Sequence, residues 1–146
     1  MISSGIEELK KNGKYLSVPT GNSMRPMLKS KENVVEIVRA ERPLKKYDIT
    51  LYVRGDGTNV LHRVMKVQKD SYLICGDNCI TPELVSFDQV EGIAVRFYRN
   101  GKWFSVDHPG YRLYVYVWCG LFPVRKILLK IHRKIRNCFW KERYEE

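Results

Sequence analysis

Between residues 34 and 106 the chain is a series of short β-branched segments, each closed by turn residues. No other feature constrains the fold as much. Residues 34–38 are β-branched and largely apolar. Residues 49–53 alternate, and Gly55-Asp56-Gly57 then turns the chain. Residues 60–67 read as the returning strand. Val60, His62, Val64 and Lys66 fall on one of its faces, and Leu61, Arg63, Met65 and Val67 on the other. Residues 72–75 form another short strand, closed by Gly76-Asp77. Residues 90–99 and 102–106 flank Asn100-Gly101, the strongest short-range hairpin signal in the sequence. The expected core is antiparallel β.

The two ends differ from this pattern. Residues 3–13 read as a short helix that Ser3 or Ser4 caps and Gly13 stops. Glu7 and Glu8 suit its positive end, and Ile6 and Leu9 face inward. Asp107-His108-Pro109-Gly110 breaks the β pattern. Beyond it, Leu121, Val124, Leu128, Ile131 and Ile135 recur at steps of three or four. Arg125, Lys126, Lys130, Arg133, Lys134 and Arg136 fill much of the remainder. The spacing predicts a basic amphipathic helix within 111–140, started or kinked at Pro123. The expected fold class is therefore mainly β, with a short N-terminal helix and a basic amphipathic C-terminal helix. The organisation read from the sequence is a β domain over 1–110 and a helical tail over 111–146.

At 146 residues the chain suffices for one domain with a real core. The net charge of +10 is unevenly spread: residues 1–110 carry 17 Lys/Arg against 13 Asp/Glu, and residues 111–146 carry 9 against 3. That asymmetry points to a basic segment rather than a uniformly basic nucleic-acid-binding domain, and no nucleic-acid motif accompanies it. Cys75, Cys79, Cys119 and Cys138 match no zinc spacing and read as free thiols. No metal or cofactor is expected. Residues 1–17 lack a continuous apolar run. The longest apolar stretch, residues 113–124, is too short to span a bilayer as a helix. The expected location is cytoplasmic or at a membrane periphery. Trp118, Phe122 and Trp140 beside the Lys/Arg face suit a helix lying in the headgroup region.

Chemistry concentrates in three places. Ser23 lies in Gly21-Asn22-Ser23-Met24-Arg25-Pro26, where the chain turns sharply. His62 follows in Leu61-His62-Arg63-Val64, and Gly76-Asp77-Asn78 comes shortly after. A serine hydroxyl needs a base to become a nucleophile. Histidine serves near neutral pH, and a carboxylate behind it fixes its tautomer. A turn around the serine aims backbone N–H groups at one point, as an oxyanion hole requires.

Residues 21–27 resemble the Ser-Met-x-Pro nucleophile box of the superfamily that contains signal peptidase I and the self-cleaving SOS-repressor peptidases. In most bacterial signal peptidases and in the repressors the base is a lysine. Here the matching place holds His62, which resembles the serine–histidine branch found in archaea, the endoplasmic reticulum and spore formers. The resemblance implies a serine endopeptidase with Ser23 as nucleophile and His62 as general base. Asp77, with Glu83 a few positions later, would support the site. Lys46-Tyr47-Asp48-Ile49 resembles the superfamily's Gly-Asp-Ile/Val strand start, with Tyr47 replacing glycine. Gln89-Val90-Glu91-Gly92 resembles its Val-x-Gly strand. The match covers residues 15–98.

Three departures stand out. The chain shows no membrane span. Gly21 occupies the place where many bacterial members have an oxyanion-binding serine, which leaves backbone N–H groups, Thr20 or Asn22 for that work. Glu83 stands where a shorter aspartate is usual. The expected substrate is an extended peptide or protein precursor, with peripheral membrane contact through 111–146. The alternative is a catalytically silent module of the same fold that binds a peptide, a partner or a membrane surface. A self-cleaving regulator fits less well, because no DNA-binding domain precedes the motifs and the lysine base is missing.

Overall fold

The computed structural model describes residues 4–41 and 43–144, with side chains described for 5–41 and 43–137. Ser3 and the side chains of Ser4, Cys138 and Trp140 lie outside the described residues. The fold is mainly antiparallel β. A short helix, α1 (Ser4–Asn12), leads into β1 (Lys14–Ser17). The sheet continues with β2 (Val34–Arg39), β3 (Ile49–Val53), β4 (Asn59–Val67), β5 (Ser71–Cys75) and β6 (Glu83–Ser86). The last two strands are β7 (Val90–Arg99) and β8 (Lys102–Ser105). In space the order is β1-β2-β7-β3-β4-β5-β6, with β8 also on β7.

The local reasons are those the residue types supply. Gly13, at φ 73°, ends α1, while Ile6 and Leu9 are buried beneath it. Asn100 and Gly101, at φ 52° and 78°, turn β7 into β8, as a two-residue hairpin requires. Tyr47 also takes a left-handed conformation, at φ 77°, at the place where the resembled motif carries glycine. That geometry costs a residue with a side chain about 1–2 kcal/mol. It is offset by local bonds: the Tyr47 N–H donates to the Val64 carbonyl at 2.7 Å, and the Tyr47 carbonyl accepts from Arg63 at 3.0 Å. The sequence pattern does not mark β1 or β6. Both are four-residue edge strands whose apolar residues, Tyr15-Leu16 and Leu84-Val85, stand side by side, so the sequence lacks the alternation that reveals a strand.

Two apolar clusters form the core. The first joins α1, the segment after Ser23, the sheet and the C-terminal helices through residues such as Leu9, Leu28, Ile37, Phe97, Tyr111 and Cys119. The second packs Leu44, Tyr52, Val64, Tyr72, Ile74 and Val85 together.

The C-terminal segment is helical in three parts: α2 (Pro109–Tyr114), five residues of π-helix (Val115–Cys119) and α3 (Phe122–Tyr144). Pro123 falls in the first turn of α3, where its missing N–H costs nothing. Tyr111, Val115 and Cys119 lie in the first apolar cluster with the sheet. Leu121, Val124, Leu128, Ile131 and Ile135, the stripe read from the sequence, are all about half exposed. No described helix is long and apolar enough to cross a membrane.

One polar contact crosses these layers. Arg63 and Asp77 are fully buried, and the guanidinium grips both carboxylate oxygens at 2.8 Å. Burial alone would lower the Arg63 pKa, but Asp77 drives it well above its ordinary value. Removing one member of such a pair leaves an uncompensated buried charge. Arg63→Ala should destabilise the fold by about 3–5 kcal/mol, read as a lower urea midpoint. The double variant Arg63→Met/Asp77→Leu should lose clearly less. Equal losses in the two variants would contradict the assignment.

Candidate active site

Ser23 sits in the turn that follows β1. Met24, Met27 and Leu28 are buried and pin this turn to the core. Its backbone closes on itself through Arg25 N–H to the Asn22 carbonyl at 3.2 Å and Leu28 N–H to the Met24 carbonyl at 2.9 Å. Ser23 itself is half-buried and lines a cleft of about 510 Å³.

His62 lines the same cleft from β4, where it pairs with Thr50 of β3. Its ring is nearly buried. Tyr52 pairs with Val60, so it lies diagonal to His62 on the same face of the β3–β4 hairpin. The Tyr52 hydroxyl is 3.3 Å from His62 Nδ1 and donates a very short hydrogen bond to Glu83. Glu83 Oε1 is 3.4 Å from His62 Nδ1. Arg54 then holds both Glu83 oxygens, at 2.9 and 2.7 Å.

This chain of contacts assigns the protons. A carboxylate only accepts, so the single Tyr52 proton goes to Glu83. The Tyr52 oxygen is left to accept from His62 Nδ1–H. The neutral imidazole therefore carries its proton on Nδ1 and leaves Nε2 bare, the form a general base needs. Burial holds His62 below its ordinary pKa, against the opposing pull of Glu83. Burial alone would raise Glu83, but Arg54 and the Tyr52 hydroxyl hold it below the usual carboxylate range. Burial and the Glu83 contact together push Tyr52 far above an ordinary phenol.

Gly76 separates the histidine from the serine turn. A methyl group placed on it would lie 2.5 Å from the Ser23 carbonyl oxygen and 3.1 Å from His62 Nε2. Only a glycine lets the ring and the turn approach this closely. Asn78 then straps the loop to the turn: its N–H donates to the Ser23 carbonyl at 2.7 Å and its side-chain amide to the Asn22 carbonyl at 3.1 Å.

The expectation that Asp77, with Glu83, orients His62 or neutralises its charge is revised by this geometry. The Asp77 charge does favour the imidazolium, but its contacts do not orient the ring. Both Asp77 oxygens face Arg63, and Oδ2 also accepts from the Tyr114 hydroxyl at 2.9 Å. Asp77 thus anchors the loop, and Glu83 with Tyr52 occupies the place behind the histidine. The C-terminal helices grip the same loop. Trp118 donates to the Asp77 carbonyl at 2.9 Å, Arg133 to the Asn78 carbonyl at 2.8 Å, and Arg125 to the Gly76 carbonyl at 3.4 Å.

Thr20 and Gly21 line the cleft beside Ser23. Tyr15, Met24, Leu51 and Leu61 give it apolar surface. Cys79 also borders it, and burial raises its pKa, which keeps it a thiol rather than a competing thiolate. Cys75, Cys79 and Cys119 are free. Among the described residues, no group of three His, Cys, Asp or Glu is placed to hold a metal ion.

Sequence reasoning missed Tyr52 and Arg54, and read Cys79 only as a free thiol with no place in the cleft. For Tyr52 a signal existed: the Gly55-Asp56-Gly57 turn sets a β3–β4 register in which Tyr52 must sit diagonal to His62. Arg54 and Cys79 follow from long-range packing and had no local signal.

The His62 imidazole should titrate below its unperturbed value of ~6.5 when followed by NMR. Glu83→Gln should lower it further, because the carboxylate favours the imidazolium. The unfolded chain binds this proton first, so acid should cost stability as pH falls from ~6.5 through the depressed native pKa. A native value above the unperturbed one, or an upward move in Glu83→Gln, would contradict the geometry. No protein-family model matches the chain, and no curated protein is significantly similar to it.

Proposed function

We propose that the protein is a serine endopeptidase in which Ser23 is the nucleophile and His62 the general base. The observation that carries this reading is the convergence at Gly76: the Ser23 carbonyl and His62 Nε2 both pack against it, Ser23 and His62 line one cleft, and the Nδ1 side of the histidine is tied to Tyr52 and Glu83.

In this mechanism Ser23 Oγ attacks the scissile carbonyl as its proton passes to His62 Nε2. The imidazolium that forms faces the Glu83 carboxylate through Tyr52. Backbone N–H groups of the Ser23 turn receive the oxyanion. His62 then returns the proton to the leaving amine, and a water repeats the steps in reverse to free Ser23. Tyr52, Glu83 and Arg54 position the base.

The substrate class follows from the walls of the cleft. β1 is an edge strand of the sheet, and its Tyr15 and Ser17, with Val18 just after it, border the cleft. An edge strand beside a nucleophile suits an extended peptide added as a further strand, with side chains alternating into apolar surface. A precursor peptide or protein fits this arrangement better than a compact folded substrate.

A peptide-like acylating probe should label Ser23 in the wild-type protein, read by mass. Ser23→Ala and His62→Ala should both abolish labelling. Absence of labelling in folded wild type, across a panel of such probes, would favour the silent binding module instead. Tyr52→Phe should retain the fold and slow acylation by at least about tenfold, short of the ~10⁴-fold that loss of a triad carboxylate costs. An unchanged rate would remove Tyr52 from the mechanism.

A further inference from the structure

The C-terminal helix docks on the β domain by a narrow face and leaves a wide apolar one outside. Arg125 and Leu129 are buried, and Arg133 reaches the Asn78 carbonyl. At 3.6 residues per turn these positions share one side of α3. Val124, Ile127, Leu128, Ile131 and Ile135 fall on the other. Leu113 in α2, Tyr116 and Val117 in the π-helix and Leu121 just before α3 are exposed as well. All nine side chains are between 48% and 68% exposed. Within α3, from Val124 to Ile135, the stripe runs for roughly 17 Å.

Its charge frame is one-sided. Lys130 and Lys134 border one edge of the stripe and His132 the other; all three are exposed. Residues 111–140 contain 7 Lys/Arg and no Asp or Glu. A second copy of the chain, itself at +10, would bring the same cations against this face. The β domain of the same chain already holds the opposite side of the helix. What complements an apolar stripe bordered by lysines, in a segment without Asp or Glu, is an anionic lipid surface. The branched side chains sink to the acyl boundary and the Lys/Arg heads meet phosphate.

We propose that the helical segment 111–137 lies in the interface of an anionic bilayer through this stripe. The segment does not cross the bilayer. Because α3 also grips the loop that straps the Ser23 turn, the bound protein carries its cleft at the membrane surface. Vesicle binding is read without turnover, so it stands or falls separately from the peptidase reading.

The test is co-sedimentation of the full chain with vesicles of phosphatidylcholine alone or mixed with phosphatidylglycerol. Binding to the mixed vesicles should exceed binding to pure phosphatidylcholine by about tenfold or more, and added salt should weaken it. Ile127→Asn/Ile131→Asn should lose about tenfold or more of the affinity while its thermal melt stays near wild type, since both positions are half exposed. Lys130→Gln/Lys134→Gln should weaken binding to the anionic vesicles alone. No vesicle binding by folded wild type would overturn the proposal, as would binding untouched by the isoleucine substitutions. A concentration-dependent dimer that Ile127→Asn/Ile131→Asn dissolves would also overturn it, by giving the stripe to a second copy.

Discussion

The buried Arg63–Asp77 pair joins the parts of the molecule that chemistry has to bring together. Arg63 follows His62 on β4, so the two side chains leave opposite faces of the strand. The guanidinium fixes that strand from within, and the imidazole is left facing the cleft. Asp77 carries the pairing into the loop whose neighbours, Gly76 and Asn78, touch His62 and the Ser23 turn. Arg63 also donates to the Tyr111 hydroxyl at 2.8 Å and Asp77 accepts from Tyr114, which ties in α2. Taking two charges out of water is costly, and such a pair survives only where further hydrogen bonds satisfy it. Here the Tyr47 carbonyl and two tyrosine hydroxyls supply them.

A division of labour among the acidic residues follows. Asp77, buried and saturated by Arg63, is structural in its contacts. Glu83, closer to solvent, has one oxygen shared between Tyr52 and Arg54 and lies within reach of the imidazole.

The sequence made the strands legible where burial alternates and where turns are chemically marked, as at Gly55-Asp56-Gly57 and Asn100-Gly101. It also marked Ser23, His62 and the Gly76 loop, because each sits in a local arrangement with a chemical reason. The role of Asp77 was not legible, because nothing local says that Arg63 will claim both of its oxygens. The apolar stripe of α3 was legible as a period, but periodicity does not say which face a helix buries. Arg125 and Leu129 turn inward, and the stripe turns out, because the loop carbonyls at 76–79 need donors.

The most direct measurement is a crystal structure of the protein acylated by, or bound to, a peptide boronate that mimics the tetrahedral intermediate. The account predicts a covalent bond from Ser23 Oγ to boron and His62 Nε2 within hydrogen-bonding distance of that oxygen. It also predicts the peptide paired along β1, with Tyr52 still between Nδ1 and Glu83. An adduct on Cys79, or on Ser23 with His62 turned away from it, would contradict the account.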